Sequence, residues 1–464
     1  MNQSPLLRTA SLPRRRPRTR CAGRERVDAS SILNGQRCAW LALTVSCAVY
    51  LLVSLPRSQA FHPWGGLNFF DLHVYRGAGR LVLDGRSIYY GAIWKWAPFT
   101  YPPFAGVFFT PLALLPLAVD EALVTVIGIV ALFAILSLAL RLSARNDWRR
   151  GPAWPWRSPL ISLAMAAAVW LEPITSTLGY GQINLLTALL VVCDLSRRDS
   201  ARGKGALIGL AAGVKLTPLI FVPYLLFSRR PRAACVALGT FAATIAAGYA
   251  VLPVDSARFW GGGLFLNPQR VGGSYVPANQ SLRGLILRLD PSFGSGRILV
   301  IALIVALAGI ALAVLASRRG DEAMGFSLCA LTGLLVSPVS WTHHWTLAVP
   351  ALLLLGVRVC RNRSRLGLAA VAAILLVGYS YLPKLMAKPA FSPVVGQSLG
   401  WTLVSAPYVL IGCAALAVAC VQEARMLAAD RAEKRPSRHR STRPAPARSI
   451  ALPEMSPDLG VTRT

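Results

Sequence analysis

Asp71, His73 and Tyr75 fall within one short run, Phe70-Asp71-Leu72-His73-Val74-Tyr75, and Arg76 follows directly. Acids are scarce in this chain, with 19 Asp and Glu against 49 Lys and Arg. A carboxylate beside aromatic and imidazole groups is the kind of base that takes a proton from a hydroxyl. The competing assignment is a helix cap, or an ion pair with Arg76 or Arg80. Among the other acids, Asp84-Gly85 and Asp290-Pro291 read as turns, Asp255 is a weaker rival, and Glu172 before Pro173 is the second candidate.

The cations come next. Lys215 lies inside an apolar run, in Gly213-Val214-Lys215-Leu216-Thr217-Pro218. A lysine at membrane depth is costly unless it faces a cavity or a partner, so its default reading is functional. It is placed to meet a lipid phosphate; snorkelling to the surface is the alternative. Arg283, in Asn279-Gln280-Ser281-Leu282-Arg283, is a second phosphate ligand, and Arg288 is expected only at lipid headgroups. His343 and His344 are adjacent and therefore diverge, with no third ligand at metal spacing. They suit donation to a phosphate or sugar oxygen, with Trp341 and Trp345 as stacking platforms, or else one of them is a buried structural histidine. Tyr180, Gln182 and Asn184 sit in Gly179-Tyr180-Gly181-Gln182-Ile183-Asn184, where the amides cap a helix or bind sugar hydroxyls. His73, Tyr75, Asn279 and Gln280 complete the expected sugar and acceptor contacts.

These residues must be held by membrane helices. The 464 residues are 54% hydrophobic, with a mean hydropathy of +0.51. Apolar runs recur throughout the chain and predict an all-α polytopic protein with about ten to twelve transmembrane segments. The net charge of +30 is split among two arms and short clusters between runs, as the positive-inside rule requires; this excludes a nucleic-acid binder. Residues 1–37 form a basic arm expected to be disordered and cytoplasmic, 38–421 the membrane domain, and 422–464 a disordered basic tail. Residues 38–55 read as a retained first span. The nine cysteines have no CxxC spacing and read as small buried hydrophobes, without disulfides.

Basic clusters set the topology. They make 103–118, cut by Pro111 and Pro116, a partial or re-entrant segment. Spans are expected at 121–142, 159–177, 182–195, 233–252, 298–316 and 323–337. The run broken at 213–218 is either two half-helices or one kinked span. On this topology the Asp71 loop (56–98), the Gly-Tyr-Gly-Gln turn, the 253–297 loop and the His-His loop share the outer face, so one site there is expected.

The segments F-D-L-H-V-Y, T-Y-P-P, G-Y-G-Q-I-N, V-K-L-T-P, N-Q-S-L-R and S-P-V-S-W-T-H-H-W occur in that order between residues 70 and 345. Together they resemble the polyprenol-phosphate-mannose-dependent mannosyltransferases of actinobacteria, glycosyltransferase family 87. The resemblance implies a GT-C membrane fold, with its active site on the extracytoplasmic face of the plasma membrane. It also implies a polyprenyl-phosphate-mannose donor and a glycolipid or lipoglycan acceptor, with inversion to an α-(1→2) linkage and no cofactor. Asp71 would be the general base. Lys215, Arg283, His343 and His344 would stabilise the departing phosphate. The same family leaves arabinofuranose open as the sugar; a lipid-linked sugar flippase is the alternative from another class.

Overall fold

The computed structural model describes residues 29–54, 66–143, 158–386 and 398–433. The first helix, α1 (Ala29–Ser54), begins inside the segment read as the 1–37 arm, and the remainder of that arm lies outside the described residues. Next come α2 (Phe70–Leu83), α3 (Pro103–Phe108), α4 (Thr110–Leu114) and α5 (Leu117–Ser143). The segment expected as a long outer loop thus contains a 14-residue amphipathic helix that begins one residue before Asp71. The Pro-cut 103–118 segment is a pair of short helices followed by an extended Leu115.

The expected 159–177 span is α6 (Pro159–Ala168) and α7 (Glu172–Tyr180), bent by 70°. The bend has a local cause. Pro173 lacks an N–H, and its ring would clash with the carbonyl four residues back in a continuous helix; Leu171 is accordingly extended. The chain continues through α8 (Asn184–Ser196), α9 (Ala206–Val214), a 3-10 turn Thr217–Ile220 and α10 (Phe221–Phe227). Lys215 itself is extended, with φ −148° and ψ 125°, so the 213–218 break separates two short helices.

The remaining elements are α11 (Pro231–Val251), α12 (Pro253–Ser256), α13 (Leu282–Leu289), α14 (Ser295–Arg318), α15 (Glu322–Val336), a 3-10 helix Thr342–Ala348, α16 (Val349–Arg361), α17 (Arg365–Ser380), α18 (Leu382–Met386), α19 (Leu399–Val404) and α20 (Pro407–Glu433). The last helix runs past residue 422, where the tail was expected to start, and 434–464 lie outside the described residues. Compact packing divides the chain at Gly412; every element of the site below belongs to the first unit.

Seven described helical stretches are long and apolar enough to cross a bilayer. The bent α6–α7 pair makes eight if taken as one span, and four shorter apolar stretches fall below spanning length, fewer than the expected ten to twelve among the described residues. The 182–195 and 323–337 segments, expected as spans, are helices of 13 and 15 residues. At 1.5 Å per residue they are only about 20–23 Å long, short of a hydrocarbon core of about 30 Å. Gln182 and Asn184 thus lie at the start of the short α8, and Lys215 at the break after α9.

Candidate active site

Asp71 occupies the first turn of α2, and that turn is placed by a close approach of two chain segments. The backbone N–H groups of Asn68 and Phe69 both donate to the Gly179 carbonyl, at 2.9 and 2.8 Å. A Cβ on Gly179 would come within 2.6 Å of the Gly66 carbonyl oxygen, and one on Gly181 within 2.8 Å of Leu72 Cβ. Gly181 also takes φ +65° at the C-terminus of α7, a conformation glycine adopts without steric cost. The Gly-Tyr-Gly spacing thus brings the start of α2 against the α7–α8 turn. Gly181→Ala should strain the turn by about 1–2 kcal/mol and displace α2. Thermal melting is expected to drop by a few degrees, and activity to fall roughly tenfold or more through misplacement of Asp71.

Arg76 fixes the other face of α2. It pairs with Asp120 and donates to the Leu112 and Leu115 carbonyls at 2.8 and 2.7 Å. Arg80 pairs with Asp84 at 3.3 Å. Neither arginine is therefore the partner of Asp71. Burial pushes the Asp71 carboxyl up to about 6; a hydrogen bond from Gln182 and the charge of Lys215 act in the opposite direction. A carboxyl poised there is ionised at neutral pH and still basic enough to accept a proton.

The rival acids have structural partners. Glu172 is fully buried, taking hydrogen bonds from Ser176 Oγ at 2.7 Å and Tyr408 Oη at 2.9 Å. Asp255 accepts from Ser87 and from the Ile88 N–H, holding the start of the loop after α2. Asp84 is bound to Arg80, and Asp290 caps an exposed turn through Ser292.

Around Asp71 the T-Y-P-P and Gly-Tyr-Gly-Gln segments interlock. Tyr75 and Tyr101 hydroxyls lie 2.8 Å apart, and both donate to Gln182 Oε1, at 2.9 and 3.3 Å. Tyr75 is 2% exposed, so the side chain expected on the sugar instead aligns Gln182. His73 points elsewhere, stacked on Trp94 at 4.2 Å with Nδ1 against the Phe69 carbonyl.

Lys215 projects from its break toward the same region. Its Nζ donates to Asn184 Oδ1 at 2.6 Å and lies 5.7 Å from the Tyr101 ring centre. Asn184 Nδ2 in turn donates to the His343 carbonyl at 3.1 Å, which also accepts from Thr177 at 2.9 Å. One amide therefore ties the α8 start, the lysine and the histidine turn together. Lys215 and His344 share a narrow cavity with Thr217, Ser340 and Thr346. The His343 ring meets Tyr180 edge-on at 5.4 Å, and its Nε2 is buried without a protein partner.

Lys384 was missed. It reaches Ser176 Oγ at 3.2 Å and lies 5.0 Å from the Tyr180 ring centre. A lysine in the apolar run Leu382–Met386 is its sequence signal, the same signal that singled out Lys215. Tyr101 was likewise seen only as part of a motif.

Other expected site residues lie apart from this cluster. Asn279 and Gln280 are fully buried and tie their loop to the segments around Ser340 and Ser405. Gln280 donates to the Pro277 and Ser405 carbonyls and accepts from the Tyr408 N–H; Asn279 Oδ1 accepts from Ser340 N. Their amide groups bind backbone, since a buried loop must satisfy its own polar groups. Trp345 is 3% exposed and packs near Tyr408, so it is core and not a sugar platform. Trp341 keeps partial exposure beside Gly272. Arg288 corrects the headgroup expectation: it is 1% exposed and donates to the Val276 and Asn279 carbonyls at 3.0 Å. Arg283 lines a separate cleft.

A carboxyl raised by burial, within the electrostatic reach of a half-buried lysine and set among short and broken apolar helices, defines the candidate site of a multi-pass membrane protein. The family model described as Glycosyltransferase family 87 matches residues 99–338. The chain is 32% identical over 363 residues to a polyprenol-phosphate-mannose-dependent alpha-(1-2)-phosphatidylinositol mannoside mannosyltransferase of Mycobacterium tuberculosis, covering 75% of this chain and 83% of that protein. The protein of the same description from Mycolicibacterium smegmatis is 34% identical, with 71% and 79% covered. A pentamannoside mannosyltransferase of M. smegmatis is 36% identical, with 62% and 69% covered. No solved structure matches. The chain belongs to glycosyltransferase family 87, a family of GT-C membrane glycosyltransferases, and the flippase alternative is set aside.

Proposed function

We propose that the protein transfers mannose from a polyprenyl-phosphate-mannose donor to a mannolipid of the phosphatidylinositol mannoside class, on the extracytoplasmic face of the plasma membrane. The observation that carries this reading is the meeting of Asp71 and Lys215, brought together through Gln182 and Asn184 from sequence positions far apart.

Asp71 takes the proton of the acceptor hydroxyl as its oxygen attacks the anomeric carbon. The bond to the donor phosphate breaks and the configuration inverts, which gives an α-(1→2) product from a β-linked donor. Negative charge grows on the departing phosphate, where Lys215 and His344 sit, and fixed donors at such a point give electrostatic stabilisation that needs no reorganisation. His343 serves the same end of the site, while Tyr180 and Gln182 face the sugar. The donor names of the family relatives support mannose over arabinofuranose.

The test is transfer from radiolabelled polyprenyl-phosphomannose in membranes carrying the protein. Label should reach a phosphatidylinositol mannoside acceptor, and well-expressed protein that moves none would refute the reading. Because the Asp71 carboxyl is raised to about 6, it is protonated below that pH. The expected kcat/KM therefore falls as pH drops through about 6 and levels off above it.

A further inference from the structure

The loop between α12 and α13 walls a cleft of about 690 Å³, within the usual size range of small-molecule sites. Trp96, Gln269, Ser274, Tyr275, Arg283 and Phe293 line it. Among the described residues of this lining, Arg283 is the one charged side chain. Its Nε is buried without a hydrogen-bond partner in the protein, so a donor is held ready with nothing to receive it. The arginine is firmly mounted. It lies in the first turn of α13, which Ser281 caps by accepting from Gly284 N at 3.0 Å.

This cleft shares no lining residue with the cavity that holds Lys215, Asn184 and His344, yet it borders the same reacting centre. Trp96 packs on Phe70, the residue before Asp71, with ring centres 5.3 Å apart. Gly272 in its wall lies against the Trp341 ring, two residues before His343. A monophosphate-linked donor has a single phosphate to offer. Two cations in separate cavities therefore call for two anionic groups, one from each substrate.

Resting on the reading of Asp71 and Lys215 above, we propose that this cleft is the acceptor site and that Arg283 binds the phosphodiester of an anionic glycolipid headgroup, leaving the donor phosphate to Lys215. The aromatic walls suit the sugar rings that such a headgroup carries, and a guanidinium fork matches phosphate oxygens in pairs.

The experiment compares two acceptors with full-length wild-type protein and Arg283→Gln: a phosphatidylinositol mannoside, and a neutral octyl α-mannoside that lacks phosphate. The expected result is a roughly ten- to hundredfold rise in KM for the phosphate-bearing acceptor, with donor KM and transfer to the neutral acceptor unchanged. Unchanged neutral transfer also reports that the variant is folded. Arg283→Lys, which keeps the charge but loses the fork, should recover part of the loss. A rise in donor KM with acceptor KM unmoved would overturn the proposal and return Arg283 to the donor phosphate. An equal loss on both acceptors would overturn it too, since the cleft would then not be reading phosphate. Wild-type protein that transfers mannose to neither acceptor would overturn the mannosyltransferase reading itself, and this inference with it.

Discussion

Asp71→Asn is expected to abolish sugar transfer, lowering kcat by roughly 10²–10⁴-fold, without lowering the thermal stability of the protein. The substitution is nearly isosteric, and the amide keeps a hydrogen-bonding partner in Gln182. Burial disfavours the charged carboxylate by more than the Lys215 charge and the Gln182 hydrogen bond favour it, so neutralising the side chain removes a desolvation cost that outweighs the lost attraction. Arg76 stays on Asp120 and continues to hold α2 in place. The pairing of lost turnover with an unchanged melt separates a base from a structural acid: Glu172→Gln, by contrast, should weaken the contacts with Ser176 and Tyr408 and lower the melt. Transfer by Asp71→Asn at the wild-type rate would remove Asp71 from the chemistry.

Lys215→Gln is the second large effect. If the ammonium stabilises the departing phosphate, its loss should reduce kcat by roughly 10²–10³-fold, equivalent to about 2.7–4 kcal/mol of transition-state stabilisation. The shorter amide can still donate toward Asn184 Oδ1, now served by Lys215 at 2.6 Å, so the α8–α9 contact should persist. Lys215→Arg keeps charge and should retain more turnover. The decisive measurement is kcat with saturating acceptor across a donor titration. A change confined to acceptor KM would place the lysine on the wrong substrate.

The apolar periodicity and the motif order carried much of this architecture, and particular residues show why. The 213–218 break was legible because Gly213 and Pro218 interrupt an apolar run, and the structure has an extended Lys215 there between two short helices. Lys215 was legible because a cation amid Val and Leu needs a reason to be there. Sequence alone grouped Arg283 with Lys215 as cations near motifs, and the fold sets them in separate cavities. For Asn279 and Gln280 the polarity reads as ligand binding, and in the fold their amides hold loop backbone. Lys384 carries the same apolar-run signal as Lys215, but its nearness to Ser176 and Tyr180, some two hundred residues away in the chain, comes only through the fold.

By itself the sequence determined that this is a helical, multi-pass membrane glycosyltransferase of family 87. The free energy of placing apolar runs in lipid depends on local composition, and a motif is a local pattern. The tertiary structure alone decided which acids have structural partners, which cation lies in electrostatic reach of Asp71 and which polar side chains hold the loops. Those properties depend on burial and on partners within about 3 Å, contributed by segments separated by as many as hundreds of residues along the chain.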